Sequence, residues 1–199
     1  MTIIDLLRHG EVSAAHVCLG RHYETPLSAH GWRQMSDLLP EDRNVPWHAI
    51  VSSPRRRCAD FAEEAATRFH LPLHFDEGFC ELGFGTWEGR PWTDLYEQAG
   101  ESLLAFQRDP LHAPSPAPGG ESFQDFELRV GQTWEAWLST LDGCHWLLIA
   151  HAGSLRAILR RILGFPPQKL FNIQLPHATL TRIVYREDFP QLIFHGKAL

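Results

Sequence analysis

Short apolar runs alternate with longer segments of helical periodicity along the whole chain. A short apolar run bounded by turn residues is typical of a buried strand, whereas apolar residues spaced three and four apart predict a helix. We predict strands at residues 3–7, 49–52, 73–75, 146–150, 179–185 and 191–195, and helices at residues 29–39, 56–69, 92–107, 123–141 and 155–163. This alternation predicts an α/β fold, a three-layer α/β/α sandwich around a mostly parallel central sheet of about six strands.

The stretches between these elements contain no repeat and no long linker, so we expect residues 1–199 to form a single domain. Aromatic residues of the predicted helices at 56–69 and 123–141 fall on one helix face, which indicates core packing and not a cofactor site. Residues 109–120 are rich in proline and glycine, which excludes a regular helix. We predict an ordered surface loop there, as a candidate border of an active site.

Polar residues closely follow three of the predicted strands. They are Arg8 and His9 after the first strand, Ser53 and Arg57 after the second, and His151 after the fourth. The carboxyl ends of parallel strands meet at one edge of a sheet, where open α/β sheets bind ligands. Taken alone, Arg8 and His9 fit an ion pair and a buried imidazole better than a ligand site. Their repetition at other strand ends, with Glu81 in a glycine-rich loop, favours an anion site.

The overall charge of the chain argues against one class of binding partner. The formal net charge of −6 and the pI near 6.0 argue against nucleic-acid binding, because a phosphate backbone requires a basic face. The cysteines are irregularly spaced and no secretory signal is evident, so we expect reduced thiols in a cytoplasmic protein. No apolar stretch reaches membrane-spanning length, and we expect no membrane contact. A small phosphorylated metabolite needs only a local basic pocket and is the expected partner.

Metal and cofactor motifs are not evident in the sequence. There is no aspartate-rich metal motif, no Walker-type Gly-Lys-Ser/Thr and no His-Glu-x-x-His, and the histidines are scattered. We therefore expect an enzyme that works without a cofactor.

Four motifs, in order along the chain, resemble those of the histidine phosphatase (phosphoglycerate mutase-like) superfamily. They are Arg-His-Gly-Glu at 8–11, Ser-Ser-Pro at 52–54 with Arg57 three residues on, Glu81 ahead of Phe-Gly-Thr-Trp-Glu-Gly at 84–89, and Ala-His-Ala-Gly at 150–153. The resemblance extends from residue 3 to about residue 185. The short chain, the motif at 84–88 and the segment at 120–130 are most similar to the alpha-ribazole-5′-phosphate phosphatases of cobalamin assembly.

This resemblance implies a metal-independent phosphomonoesterase that works through a phosphohistidine on His9. It implies that Glu81 is the general acid, and that Arg8, Arg57 and His151 clamp the phosphate, together with backbone amides at the glycines of the motifs and the N-terminus of the following helix. Glu88 is the rival acid, but a carboxylate in such a turn more often ties down a loop. The expected substrate is alpha-ribazole 5′-phosphate. The alternatives are a broad sugar-phosphate phosphatase, a phosphoglycerate mutase and a phosphate-binding module without turnover.

Other charged residues near the motifs favour structural roles. Arg55 and Arg56 are expected to form a solvated basic rim, since three consecutive arginines cannot all face one phosphate. We expect Glu11 to brace Arg8 or a neighbouring amide, and Arg129 to form a structural ion pair.

Two segments bear on the shape of the pocket. Many relatives carry asparagine four residues after the Gly-Glu pair, whereas this chain has Ala15. Ser13 or His16 is a candidate replacement donor, and otherwise the pocket has one donor fewer. In the segment 20–24, Tyr23 or His22 is a candidate to stack on the leaving group, with ordinary surface positions as the alternative.

Overall fold

Six strands and five α-helices alternate in the computed structural model, which describes residues 1–14, 16–40 and 44–197. The strands are β1 (Thr2–Arg8), β2 (Ala49–Ser52), β3 (Leu73–Phe75), β4 (His145–Ala150), β5 (Leu180–Arg186) and β6 (Phe189–Lys197). The helices are α1 (Ala29–Ser36), α2 (Arg56–Phe69), α3 (Trp92–Arg108), α4 (Phe123–Thr140) and α5 (Ala152–Leu163). Short 3₁₀ turns cover Glu77–Phe79, Gly85–Trp87 and Pro167–Asn172.

The strands form one mixed sheet in the order β3-β2-β4-β1-β5-β6. The first four in this order are parallel to one another, and the β1–β5 and β5–β6 pairs are antiparallel. Arg8 at the end of β1 pairs with Ala150 at the end of β4, so the next residues, His9 and His151, emerge side by side. The predicted α/β fold with a mostly parallel sheet is confirmed.

Both faces of the sheet are buried, because successive side chains of a strand point to opposite sides. Leu6 and Leu148 belong to the core cluster that includes residues of α4 and α5. Leu7 and Ile149 belong to the cluster that includes residues of α1 and α2. The helices therefore form the two outer layers of the predicted sandwich.

Two helix ends differ from the prediction by three residues. Helix α5 begins at Ala152, directly after His151, whose backbone N–H donates to the Ser154 hydroxyl at 3.2 Å. Helix α1 ends at Ser36, and the next residues continue as a tighter turn in which Leu39 N–H bonds to the Ser36 carbonyl at 3.1 Å. The early start of α5 matters most, because it brings the helix N-terminus to the edge of the sheet that carries His9 and His151.

All four cysteines are free thiols, as expected. None of the helices in the described ranges is long and apolar enough to cross a lipid bilayer.

Candidate active site

A cleft of about 350 Å³ lies at the carboxyl ends of the parallel strands. Four predicted catalytic residues, Arg8, His9, Arg57 and Glu81, contribute to its lining. They come from the end of β1, the start of α2 and the loop after the first 3₁₀ turn. The sheet thus brings together residues that are far apart in the sequence.

His9 is held as a neutral imidazole with one nitrogen available. The side chain is 2% exposed, and its Nδ1 lies 2.8 Å from the Gly10 carbonyl oxygen. Because a carbonyl only accepts, Nδ1 carries the proton and Nε2 keeps its lone pair. Burial, and then the charges of Arg57 and Arg8, lower the pKa of His9 well below its ordinary value. His9 therefore has a free lone pair, which is the chemical state that a nucleophile requires.

Arg8 brings a buried cation to the same end of the cleft. Its Nη1 donates to the Leu175 carbonyl, while its Nε is buried and has no protein partner among the described residues. Burial lowers the pKa of Arg8 to about 10, an effect that the Glu81 carboxylate opposes. The guanidinium therefore stays charged at neutral pH and has donor capacity left for an anion.

The Arg57 guanidinium is completely buried and rigidly oriented. Its Nη1 donates to the Tyr23 carbonyl at 2.9 Å, and its Nη2 donates to the Gly20 carbonyl at 2.8 Å. Its Nε donates to His151 Nδ1 at 3.1 Å. Each Nη still has a second proton, so a phosphate in the cleft can be met by a fork fixed in advance.

His151 is also completely buried and is not among the residues that line the cleft. Its Nδ1 accepts from Arg57, so its Nε2 carries the proton and donates to the Ser53 hydroxyl at 2.8 Å. Burial, followed by the charge of Arg57, lowers the pKa of His151 well below its ordinary value. In this arrangement His151 orients Arg57, and direct contact between His151 and a phosphate stays a prediction.

The Glu81 carboxylate faces the cleft and is fixed by two backbone amides. Its Oε1 accepts from Leu82 N–H at 2.9 Å and its Oε2 accepts from Gly153 N–H at 3.0 Å. The first turn of α5 therefore binds this carboxylate through the amide of Gly153. We had expected that amide to meet the phosphate, and the structure gives it a different partner.

Glu88 ties down a loop, as expected. Its carboxylate accepts the backbone N–H groups of Arg21, His22, Tyr23 and Phe84 at 2.7 to 2.9 Å. Of the two alternatives for Tyr23 and His22, the structure favours ordinary surface positions over stacking on the leaving group, because His22 is exposed and neither side chain lines the cleft. The segment contributes Gly20 to the lining, next to Leu19.

The basic rim predicted for Arg55 and Arg56 is half correct. Arg56 is exposed and pairs with Asp60 one turn along α2. Arg55 is half-buried and pairs with Glu24 and Glu77, so it joins two loops and is not a solvated cation. Arg129 forms the structural ion pair predicted for it, with two bonds to Glu121.

The segment after β1 packs closely on the start of α1. A Cβ atom at Gly10 would lie 2.2 Å from the Gly31 carbonyl oxygen, so this glycine permits a close approach of two backbones. Glu11 accepts from the Ser28 hydroxyl at 2.7 Å, and this hydroxyl also caps α1 by accepting from Gly31 N–H. Glu11 therefore braces the start of α1 through the Ser28 hydroxyl. The two partners predicted for it, Arg8 and a neighbouring amide, are not among the side-chain hydrogen bonds of Glu11 in the described residues.

Ser13 and His16, the two candidates to replace the family asparagine, differ in whether they line the cleft. Ala15 itself lies outside the described residues. Ser13 donates to the Leu27 carbonyl at 3.1 Å and does not line the cleft, whereas His16 does. His16 is the better candidate for the missing donor.

Sequence reasoning missed His177, which lines the cleft beside His9. The two ring centroids are 5.5 Å apart. Burial, and then the charge of Arg8, lowers the pKa of His177 to about 4, so this ring is neutral at physiological pH. His177 precedes the antiparallel strand β5, which begins at the edge where β1 ends. If β5 had been recognised as antiparallel, the residues just before it, including His177, would have been predicted to lie at the edge of the sheet that carries His9.

The loop at 109–120 does not border the cleft. Its Pro118 carbonyl accepts from Thr86 N–H at 3.1 Å, so it packs on the 3₁₀ turn Gly85–Trp87. None of its residues lines the cleft. Residues 109–120 were a candidate border of the active site, and that part of the prediction is wrong.

Comparison with known proteins places these motifs in a family. Residues 4–197 match the sequence profile of the Histidine phosphatase superfamily (branch 1). The chain is 31% identical over 192 residues to the adenosylcobalamin/alpha-ribazole phosphatase of Salmonella typhimurium, with 94% of this chain and 92% of the relative covered.

Solved structures agree with this result. The alpha-ribazole phosphatase from Shigella flexneri superposes with a TM-score of 0.84 at 28% identity, covering 98% of this chain and 96% of that one. A phosphoserine phosphatase mutant from Entamoeba histolytica, in complex with phosphoserine, has a TM-score of 0.82 and covers 100% of this chain and 98% of that one. At 21% identity this second likeness shows the fold alone. The chain belongs to the Histidine phosphatase superfamily and is a phosphatase of that family.

Proposed function

We propose that this enzyme hydrolyses phosphomonoesters through a phosphohistidine on His9, without a metal ion. The observation that carries the proposal is the state of His9, a buried neutral imidazole whose Nε2 keeps its lone pair beside two guanidinium groups. A phosphate dianion repels a nucleophile unless its oxygens are neutralised. Arg8 and Arg57 supply two positive charges and several donors, so a divalent cation is not needed for that purpose.

The reaction proceeds in two displacements. His9 Nε2 attacks phosphorus, the ester P–O bond breaks, and Glu81 gives its proton to the departing alkoxide. Glu81, now a carboxylate, takes a proton from a water molecule that attacks the phosphohistidine. The N–P bond breaks, its electron pair returns to Nε2, and inorganic phosphate leaves. Arg57, oriented by His151, binds the equatorial oxygens with Arg8 in both steps.

For the substrate, we propose alpha-ribazole 5′-phosphate, a ribose phosphate that carries a flat heterocycle. The likeness to alpha-ribazole phosphatases over nearly the whole chain supports this choice. Besides its cationic residues, the cleft is lined by Val17, Leu19, Phe84 and Trp92. The rings of Phe84 and Trp92 are 6.1 Å apart at 85°, an aromatic corner that suits a planar ring.

A broader phosphatase for small polar phosphomonoesters is the second candidate. Glu11, His16 and His177 line the same cleft and offer polar groups to a sugar or an amino acid. The fold shared with the phosphoserine phosphatase is compatible with such a substrate.

The test is phosphate release from alpha-ribazole 5′-phosphate, ribose 5-phosphate, phosphoserine and 3-phosphoglycerate, with EDTA present. We expect wild type and His30→Ala, an exposed histidine on α1, to release phosphate, and His9→Ala to release none. With a substrate labelled in its phosphate group, we expect acid-labile phosphohistidine label on the wild-type protein and none on His9→Ala. We also expect Trp92→Ala to raise KM for alpha-ribazole 5′-phosphate and to leave KM for phosphoserine nearly unchanged.

Each outcome has a clear meaning. Release spread evenly over the panel would keep the mechanism and replace the substrate by the second candidate. Transfer of the phosphate to an acceptor alcohol instead of water would indicate a mutase. Release that persists in His9→Ala, or that EDTA abolishes, would overturn the proposed mechanism.

A further inference from the structure

The segment that carries Glu81 has no helix or strand to hold it. Residues 81–84 lie as irregular backbone between the 3₁₀ turns Glu77–Phe79 and Gly85–Trp87. An acid that delivers a proton must nevertheless be placed within hydrogen-bond reach of the leaving oxygen. Contacts from outside this segment must therefore set the position of its backbone.

Arg129, on α4, supplies most of these contacts. Its side chain is 16% exposed, and it donates four hydrogen bonds to carbonyl oxygens of residues 77–81, the weakest of them to Glu77 at 3.4 Å. Nη1 donates to Gly78 at 2.9 Å and to Cys80 at 3.1 Å, and Nη2 donates to Glu81 at 3.3 Å. The guanidinium also lies over the Phe126 ring, with Cζ 5.3 Å from the ring centroid. This planar fork spans the backbone on the N-terminal side of the acid.

Glu121 completes the clamp on the other side. Its carboxylate accepts from Arg129 Nε at 2.9 Å and from Nη2 at 2.8 Å, which fixes the plane of the guanidinium. The same carboxylate accepts from Gly83 N–H at 3.1 Å, and the Glu121 backbone N–H donates to the Gly83 carbonyl at 2.8 Å. The pair thus grips the chain on both sides of Glu81.

Neither Arg129 nor Glu121 lines the cleft, so neither can touch a substrate there. We propose that they are positioning residues, which hold Glu81 where it protonates the leaving group. This inference rests on the proposed function, in which Glu81 is the general acid. The carboxylate itself has only two bonds to the protein, to Leu82 N–H and Gly153 N–H, among the hydrogen bonds of the described residues. The position of the Glu81 carboxylate therefore depends on how the backbone of residues 81–84 is fixed.

The decisive experiment compares leaving groups that need a proton with one that does not. In Arg129→Lys the charge stays but the fork is lost. We expect kcat/KM for ribose 5-phosphate, whose leaving group is an alkoxide, to fall about 10- to 100-fold. We expect kcat/KM for 4-nitrophenyl phosphate to change less than about 3-fold, because nitrophenolate departs without protonation. A role in folding alone would lower both values together.

A second variant keeps the test valid if Arg129→Lys does not fold. Glu121→Gln keeps the size of the side chain and one acceptor oxygen, but weakens the grip on Arg129 and Gly83. We expect the same selective loss, smaller in size. The matched control is Arg161→Lys, which alters another arginine–glutamate pair, the exposed one between Arg161 of α5 and Glu135 of α4. This control should behave as wild type with both substrates.

Glu81→Gln, measured with the same two substrates, separates the possible failures. If Glu81→Gln does not discriminate between them, Glu81 is not the general acid and the proposed mechanism is wrong. If Glu81→Gln discriminates, but Arg129→Lys and Glu121→Gln lower both values equally or leave both unchanged, only the positioning inference is overturned. Selective loss in all three variants supports both.

Discussion

A single methyl group at Gly153 would collide with the Glu81 carboxylate. A Cβ atom built there would lie 1.9 Å from Oε1 and 2.9 Å from Cδ of Glu81. The obstacle is the tip of a flexible side chain, so the carboxylate would swing away at little cost in packing. Alanine also favours the helical conformation by about 1 kcal/mol over glycine, which offsets part of any loss of stability.

We therefore predict that Gly153→Ala folds but is a poor catalyst for alkyl phosphates. The expected result is a fall in kcat/KM of at least about 10-fold, with a melting temperature within a few degrees of wild type. Steady-state kinetics and thermal unfolding check this. Gly100→Ala in α3 is the control, because a Cβ there has no neighbour within 4 Å. Full activity in Gly153→Ala would show that Glu81 need not lie where the structure has it.

Proton positions were the part of the site least accessible to sequence reasoning. The sequence predicts that His9, Arg57 and His151 meet at one edge of the sheet, because each follows a strand. It does not reveal that Arg57 Nε donates to His151 and so decides which nitrogen of that ring carries the proton. Such a detail depends on distances between side chains, which no spacing along the chain encodes.

The loop at 20–23 is the element whose conformation most depends on one side chain. Glu88 accepts four backbone amides, three of them from this loop. The loop in turn presents the Gly20 and Tyr23 carbonyls that orient Arg57. A glutamine at 88 has only one acceptor oxygen, so it cannot satisfy all four amides.

For Glu88→Gln we expect a loss of about 1 to 3 kcal/mol in the free energy of unfolding, because amides lose a charged acceptor. We also expect KM to rise several-fold, since Arg57 is held less firmly. Urea unfolding and steady-state kinetics measure the two effects. Glu63→Gln, on the exposed face of α2, should change neither. An unchanged KM together with the loss of stability would separate the loop from substrate binding.

The elements themselves were predicted well, and the loops were not. Each strand and helix has a local period of apolar residues, and nearly all bounds agree within about three residues. The half-buried position of Arg55 and the exposure of His22 follow instead from acidic partners far along the chain. His177 was missed because its place depends on the direction of β5, which is a property of the whole sheet.

The centre of the sheet contains a charged network that joins its strands. Asp5 of β1 is fully buried and accepts from Arg182 of β5 at 2.7 and 2.9 Å and from Trp47 at 2.8 Å. His145 of β4 lies 2.9 Å from the same carboxylate. Burial alone would raise the pKa of Asp5, yet these hydrogen bonds hold it below its ordinary value. Its contribution to stability is therefore present above pH 4 and is lost at about that pH and below.

The free energy of unfolding should begin to decrease at a pH well above 4, the pH near which the contribution of Asp5 is lost. His9 and His151 are buried and neutral, with pKa values well below 6.5, whereas the unfolded chain takes up protons on both near pH 6.5. Between pH 6.5 and the lower folded pKa values, the unfolded state therefore binds more protons than the folded state. The free energy of unfolding must decrease as the pH falls through this range.

Each histidine contributes a slope of at most about 1.4 kcal/mol per pH unit, which is approached once the pH is well below 6.5, so the two together contribute at most about 3 kcal/mol per pH unit. His177, with a pKa lowered to about 4, adds to the same trend. Urea unfolding between pH 7 and pH 5 measures the slope. In His9→Asn one of the titrating groups is absent, so the slope should decrease, by up to about 1.4 kcal/mol per pH unit at the acidic end of this range. A slope that His9→Asn leaves unchanged would mean that folding does not lower the pKa of this imidazole, so that His9 would be protonated over part of this pH range.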